Sequence, residues 1–278
     1  LQFFRQKVHV QHQELYNQAK QYYQKAIEIY EKLAEINTER SNPALARSYN
    51  NAGGFYDKQG QPDKAELYYK KAIEIREKLA VINPSVSFAH DIATSYNNAG
   101  VFYKNQGQAD KAERYYQKAI EIREKLAEIN PERFSPDLAG SYNNAGYFYS
   151  VNGQSDKTEL YYNKAIEIYE KLAEINPERF NPDLVVSYNN AGNFYKEQGQ
   201  PDKAELYYQK AIETREKLAE INPERFNPAL ANSYNDMGVF YKDLGQSDKT
   251  ELYYKKAIEI YEKLAVTNPE RFAPDLAG

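Results

Sequence analysis

The sequence repeats itself, and that constrains its fold more than anything else in it. Ser-Tyr-Asn recurs at Ser48, Ser95, Ser141, Ser187 and Ser233, at intervals of 47, 46, 46 and 46 residues. A chain of this kind folds as one unit does when stacked on copies of itself. We divide it as a single array over 1–278, with a partial unit at 1–43 and full units at 44–89, 90–136, 137–182, 183–228 and 229–274. Residues 275–278 start a truncated unit, and the one change of length is an extra residue near Ser85–Ser87. The period also places the tyrosines. Six Tyr-Tyr pairs, from Tyr22-Tyr23 to Tyr253-Tyr254, and two more tyrosines in each full unit make up 22 of the 27. Residues spaced this regularly are architectural before they are anything else.

Each unit reads as two helices. In the unit beginning near Asn181, that asparagine suits an N-cap, Pro182 the first helical position and Asp183 the first turn. Phe180 before the cap can staple onto Val185. Leu184, Tyr188, Ala191 and Tyr195 then share one face. Gly199 ends the helix, because glycine takes the left-handed C-cap conformation without strain. Pro201 starts a second helix with Ala204, Tyr208, Ala211, Leu218 and Ile221 on its apolar stripe, and Pro223 breaks it. Small residues recur where helices must approach closely: Ala52-Gly53 is expected to face Ala65 and Ala72. One unit alone cannot bury these stripes, so neighbours must stack into an all-α solenoid of about eleven helices with no strand. Leu1–Gln13 lack the glycine turn and are expected to run on into the helix that ends near Asn37.

Composition excludes several functions. With no cysteine, neither a disulfide framework nor a thiolate metal site can form. No stretch approaches the ~20 apolar residues of a membrane helix. A net charge of −4 argues against a nucleic-acid binder, which normally carries a basic field. His9 and His12 stand i, i+3 without an evident third metal ligand, and His90 stands alone in the irregular connector. Glu66, Glu113, Glu159, Glu205 and Glu251 recur as helix-start residues rather than as an acid/base pair. No glycine-rich phosphate loop is present. We therefore expect no enzyme activity and no cofactor. Oligomeric state is left open, and a cytoplasmic setting is the working expectation. The chain begins at Leu1 rather than methionine and reads as a piece of something longer.

Tyr49-x-x-Ala52-Gly53-x-x-Tyr56, then Gly60, Ala65-x-x-x-Tyr69 and Ala72, resemble the tetratricopeptide repeat signature. The family's closing proline would fall at Glu77, but here the unit runs on to Pro84, and the whole unit is about 12 residues longer than the usual ~34. Long units with paired asparagines and a Lys-Ala-Ile-Glu-Ile-x-Glu-Lys tail look most like the kinesin-light-chain type. The resemblance implies a right-handed superhelix whose first helices line a concave groove, and a non-catalytic module binding a protein or extended peptide. A second reading keeps the array as the sensor or regulatory segment of a larger signalling protein, with an effector domain elsewhere. The family's basic clamp for chaperone tails is not matched, because its lysine slot holds asparagine throughout.

Within the array, variation collects on one stripe of the first helices. It comprises Arg47, Gly54, Asp57 and Lys58; Thr94, Val101, Lys104 and Asn105; Gly140, Tyr147, Ser150 and Val151; Val186, Asn193, Lys196 and Glu197; and Asn232, Val239, Lys242 and Asp243. Spacings of 3, 4 and 7 put these on a common face opposite the core stripe. A binding surface would vary in this way, and so would a drifting solvent face. Asn50, Asn97, Asn143, Asn189 and Asn235 run down the middle of the stripe. Asparagine is a mediocre helix former, and its amide offers donors and an acceptor. These amides either pair with the backbone of an extended peptide or bond the helix of the next repeat. Tyr147, the only aromatic in its slot, is the expected anchor.

Overall fold

The computed structural model describes the backbone over residues 2–267, and the side chains over that span except at 2–13, 15, 38, 39 and 267. Among the described residues there are eleven α-helices and no strand. These are α1 (Gln2–Ile36), α2 (Thr38–Lys58), α3 (Pro62–Ile82), α4 (Val86–Asn105), α5 (Ala109–Ile129), α6 (Pro131–Val151), α7 (Ser155–Ile175), α8 (Pro177–Glu197), α9 (Pro201–Ile221), α10 (Pro223–Asp243) and α11 (Ser247–Thr267). The chain groups into two compact units, Leu1–Ser135 and Pro136–Gly278. Within each unit, consecutive helices pack antiparallel as stacked hairpins. As expected, the N-terminal segment continues as one long helix, α1.

The first helices start a turn earlier than expected. In α8 the N-cap is Asn176, whose side chain accepts from the Arg179 N–H, and Pro177 takes the first helical position. Asn176-Pro177-Glu178 and Asn181-Pro182-Asp183 carry the same start signal. The earlier one prevails because it adds a turn that buries Phe180. Pro182 then lies inside the helix, and the bond it cannot donate would reach only into the exposed first turn. The same early start occurs at Asn37 and Asn222. The connector between repeats is thus a single asparagine, except between α3 and α4, where Asn83-Pro84-Ser85 intervene and Ser85 is the N-cap.

The turn inside each hairpin is as expected. Gly199 has φ 68°, and its N–H reaches the Lys196 carbonyl at 3.1 Å while Gln200 N–H reaches the Tyr195 carbonyl at 2.9 Å. That pair of bonds is the Schellman cap, and it needs a left-handed residue. Ile221, assigned to the apolar stripe of the second helix, is instead exposed at the helix end, like Ile82, Ile129 and Ile175.

Tyrosines hold the hairpins together. In the five Tyr-Tyr pairs of the full repeats, the second member enters a slot opened by a glycine of the first helix. A β-carbon on Gly53, Gly100, Gly146, Gly192 or Gly238 would lie 2.5–2.9 Å from the ring of Tyr69, Tyr116, Tyr162, Tyr208 or Tyr254. The glycine thus faces a tyrosine ring, whereas the alanine partners expected for it are buried nearby. The first member of the pair stacks on a first-helix tyrosine, as in Tyr103–Tyr115 (5.4 Å, 3°) and Tyr195–Tyr207 (5.5 Å, 7°).

Between repeats, hydroxyls of first-helix tyrosines donate to glutamates of the preceding second helix. The pairs are Tyr96–Glu77 (2.5 Å), Tyr103–Glu66 (2.9 Å), Tyr188–Glu170 (2.5 Å), Tyr195–Glu159 (2.6 Å) and Tyr241–Glu205 (2.8 Å). Tyr49–Glu31 and Tyr234–Glu216 complete the set. A lysine lies over the same ring, as with Lys118 over Tyr96, Lys203 over Tyr195 and Lys249 over Tyr241 at 4.5–4.7 Å. Aromatic bodies are buried this way while each hydroxyl keeps a charged acceptor.

Two outcomes follow from this packing. Gly146→Ala should lower stability by ~1–3 kcal/mol, because the Tyr162 ring has to give way. In the same helix Gly140→Ala, with its nearest contact at 3.7 Å, should raise stability by up to ~1 kcal/mol on helix propensity. Denaturant melts of both variants check the opposite signs.

The tyrosines also predict alkaline sensitivity. Burial raises the Tyr69 and Tyr208 hydroxyls from 10.0 to about 12. Burial and then the glutamate partner raise Tyr103, Tyr195 and Tyr241 as well. Below about pH 10 both folded and unfolded tyrosines keep their protons, so the contribution to stability is complete. Above it the unfolded chain ionises first and stability falls. Circular dichroism melts should be level up to about pH 9 and drop steeply above about pH 10, with tyrosinate absorbance rising together with unfolding. Ordinary tyrosine titration in a still-folded chain would contradict this.

Candidate functional site

The glycine slot, the stacked tyrosine and the glutamate tie occupy most of the circumference of a first helix and leave one face outside this frame. That face carries the variable stripe. In the unit Pro136–Gly278 its apolar members are prominent: Tyr147 is 48% exposed, Val151 57%, Val186 50% and Val239 40%. Tyr147 lies close enough to Tyr162 that its charged form would disfavour ionisation of that hydroxyl. In the unit Leu1–Ser135, Val101 is partly buried, and burial pushes the Lys104 amine below its ordinary range. Asp57 is raised by burial, against a hydrogen bond from Asn105 that lowers it.

The central asparagines do not form a uniform row. Asn97 is buried, Asn50, Asn143 and Asn189 are partly buried, and Asn235 is exposed. Asn50 Oδ1 accepts from Asn98 Nδ2 at 3.4 Å. Asn143 Nδ2 donates to Ser187 Oγ at 2.7 Å on the next first helix, while its Oδ1 is buried with no donor. For Asn143 the amide therefore ties two repeats together.

Four of the sequence-derived residues come together. Asn189, Asn193 and Lys196 of α8 and Val239 of α10 line a cleft of about 360 Å³ floored by Tyr208, Ile212, Met237 and Phe240. Ser233 and Asp236 complete it. Tyr208 OH donates to Asn193 Oδ1 at 2.6 Å, and Lys196 pairs with Asp243 at 2.7 Å. Behind the wall Arg215 donates to Ser233 Oγ. Tyr147, Val101, Lys104, Asn50, Asn97, Asn143 and Asn235 lie outside this cleft, and Lys242 sits by the α10–α11 turn. Met237 and Asp236 were not picked out as site residues. The signal was present, since this unit alone reads Asn-Asp-Met-Gly where the other full units read Asn-Asn-Ala-Gly or Asn-Asn-Ala-Gly-Gly.

One position of the second helices holds arginine or tyrosine, as at Arg76, Arg123, Tyr169, Arg215 and Tyr261. Arg76, fully enclosed, donates to the Asp91 carbonyl at 2.7 Å and to Ser95 Oγ on the following helix. Tyr169 reaches the Pro136 carbonyl at 3.3 Å. Among the described residues no cluster of three or more metal-ligating side chains exists, and His9 and His12 lie outside the described side chains. No helix among them is long and apolar enough to cross a membrane.

Stacked helical hairpins with a conserved internal frame define a helical-repeat protein. Sequence models of the tetratricopeptide repeat match residues 8–78 and 137–217, and a second such model matches 92–136 and 230–269. The chain belongs to the tetratricopeptide repeat family. No curated protein matches it. Among solved structures, BtubC (BKLC) from P. vanneervenii is 20% identical, with a TM-score of 0.71 over 91% of this chain and 92% of that one. A putative kinesin light chain from Podosopora anserina with nearly identical TPR-like repeats is 19% identical, with a TM-score of 0.61 over 78% of this chain and 95% of that one. PilW, a type IV pilus biogenesis factor, is 17% identical, with a TM-score of 0.53 over 92% and 91%. These likenesses bear on the fold, the α-solenoid of long tetratricopeptide units. Proteins of this family are a general protein-interaction module, and the fold generally serves as a non-catalytic scaffold.

Proposed function

We propose that this chain is a non-catalytic module that binds an extended peptide or protein segment along the stripe of its first helices. The observation that carries this reading is the exposure of Tyr147, Val151, Val186 and Val239 on a face where the rest of the framework is satisfied internally. Exposed apolar side chains gathered on one stripe, unlike isolated ones at helix ends, suit a binding surface. Asn189, Asn193 and Asn235 supply amides that can meet a ligand backbone without selecting its side chains. Asn143 contributes less than the others, its amide being spent on Ser187.

The test uses a peptide selected from a random display library against the purified chain. Tyr147→Ala should weaken the selected peptide about thirtyfold, or ~2 kcal/mol, because an amphipathic aromatic of large area anchors interfaces of this kind. Its melting midpoint should stay within ~0.5 kcal/mol of the parent, as for a surface substitution. A variant that melts early yet binds normally would make Tyr147 a packing residue and overturn the reading.

A further inference from the structure

The cleft between α8 and α10 has a chemical preference that the rest of the stripe lacks. Asp236 occupies a slot filled by asparagine in the other full repeats, Asn51, Asn98, Asn144 and Asn190. In the cleft its carboxylate receives no hydrogen bond from any described residue. The charged groups around it are few. Arg215 approaches from α9 and already donates to Ser233 Oγ. Lys196 on α8 is held by Asp243 at 2.7 Å. After burial, Asp236 and Glu197 on α8 both oppose ionisation of the Tyr208 hydroxyl. The same cleft is lined by the apolar side chains of Ile212, Met237 and Phe240 and by Asn189.

An exposed carboxylate that takes no hydrogen bond from a described residue, set in a cleft that also presents Ile212, Met237 and Phe240, matches one kind of side chain. We propose that this cleft is a side-chain pocket for a lysine or arginine of the bound segment, with Asp236 as its counter-charge. The apolar floor takes the methylene stem, and the carboxylate takes the cationic head. An acidic side chain is disfavoured because it would bring a second negative charge beside Asp236, which Arg215 offsets only from behind the wall. Substituting a single acid for asparagine thus turns one rung of a neutral array into a selective subsite. This pocket deepens the peptide-binding reading above, and it can be tested without any selected peptide.

Met237, the only methionine of the chain, lies on the floor of the cleft. Carbon-13 labelling of the methionine methyl therefore gives one NMR signal that reports on this pocket alone. The probes are Nα-acetyl-lysine N-methylamide, its norleucine analogue with the same stem and no charge, and the glutamate analogue. The lysine probe should shift the Met237 methyl signal saturably. Norleucine should bind about tenfold more weakly and glutamate not at all, the difference being that of a charge-assisted hydrogen bond. Asp236→Asn, which restores the residue of the other repeats, should reduce lysine to the level of norleucine without moving the melt. Lys196→Gln should strengthen the lysine response. A glutamate response equal to that of lysine, a lysine response unchanged by Asp236→Asn, or no response to any probe would each overturn the proposal. The two readings fail separately. If the selected peptide ignores Tyr147→Ala while the lysine probe behaves as stated, the stripe reading fails and the pocket stands. If the peptide depends on Tyr147 and the probes give no charge preference, only the pocket falls.

Discussion

The structure depends on a tyrosine hydroxyl that has to find an acceptor on the neighbouring hairpin. A phenol ring buried between helices gives apolar area, but its O–H left unpaired would cost about as much as a lost hydrogen bond. Here α2, α4, α8 and α10 present tyrosines whose hydroxyls meet a glutamate of the preceding second helix, as Tyr103 meets Glu66 and Tyr241 meets Glu205. The glutamate in turn faces a lysine of the next second helix, Lys111 at 3.4 Å and Lys249 at 3.1 Å. Every element of this tie recurs with the repeat, so hairpin order and hairpin spacing are fixed by the same few side chains. The glycine slot is its complement inside a hairpin, giving the second tyrosine of each pair a place against the helix backbone.

Those commitments decide where a ligand can sit. Around the circumference of α8, Tyr188 and Tyr195 reach back to α7 while Gly192 faces Tyr208 on α9. Val186, Asn189, Asn193 and Lys196 lie outside these ties, although Asn193 accepts from Tyr208 and Lys196 pairs with Asp243. Frame residues cannot vary without breaking a tie, whereas these can, and the repeats differ from one another at these places. Family membership supplies the manner of binding and no partner, because partner choice lies in the residues that the frame leaves free.

The period, the two helices per unit, the left-handed glycine turn and the structural role of the tyrosines were all legible in the sequence, because each is a local signal repeated five times. Helix starts were not. Asn176-Pro177-Glu178 and Asn181-Pro182-Asp183 satisfy the same rules, and the burial of Phe180, a tertiary effect, selects the first. Periodicity likewise placed Ile221 on the apolar stripe, although the helix ends before a neighbour can cover it. The use of Asn143 to bond Ser187 was one of two open readings, and only three-dimensional spacing separates them. Similarly, the cleft joins α8 and α10 residues more than 40 positions apart, so its members could be named from the sequence but not grouped.

The most direct measurement is a double-mutant cycle across one repeat boundary, combining Tyr241→Phe with Glu205→Ala and reading stability by denaturant melts. The two side chains meet at 2.8 Å, and Glu205 is the more enclosed end of its ion pair with Lys249. If the tyrosine–glutamate tie holds adjacent hairpins together, the two losses should couple by ~1 kcal/mol or more. A coupling indistinguishable from zero would mean that ring burial alone stacks the repeats, and that the hydroxyl tie is a consequence of the fold rather than its support.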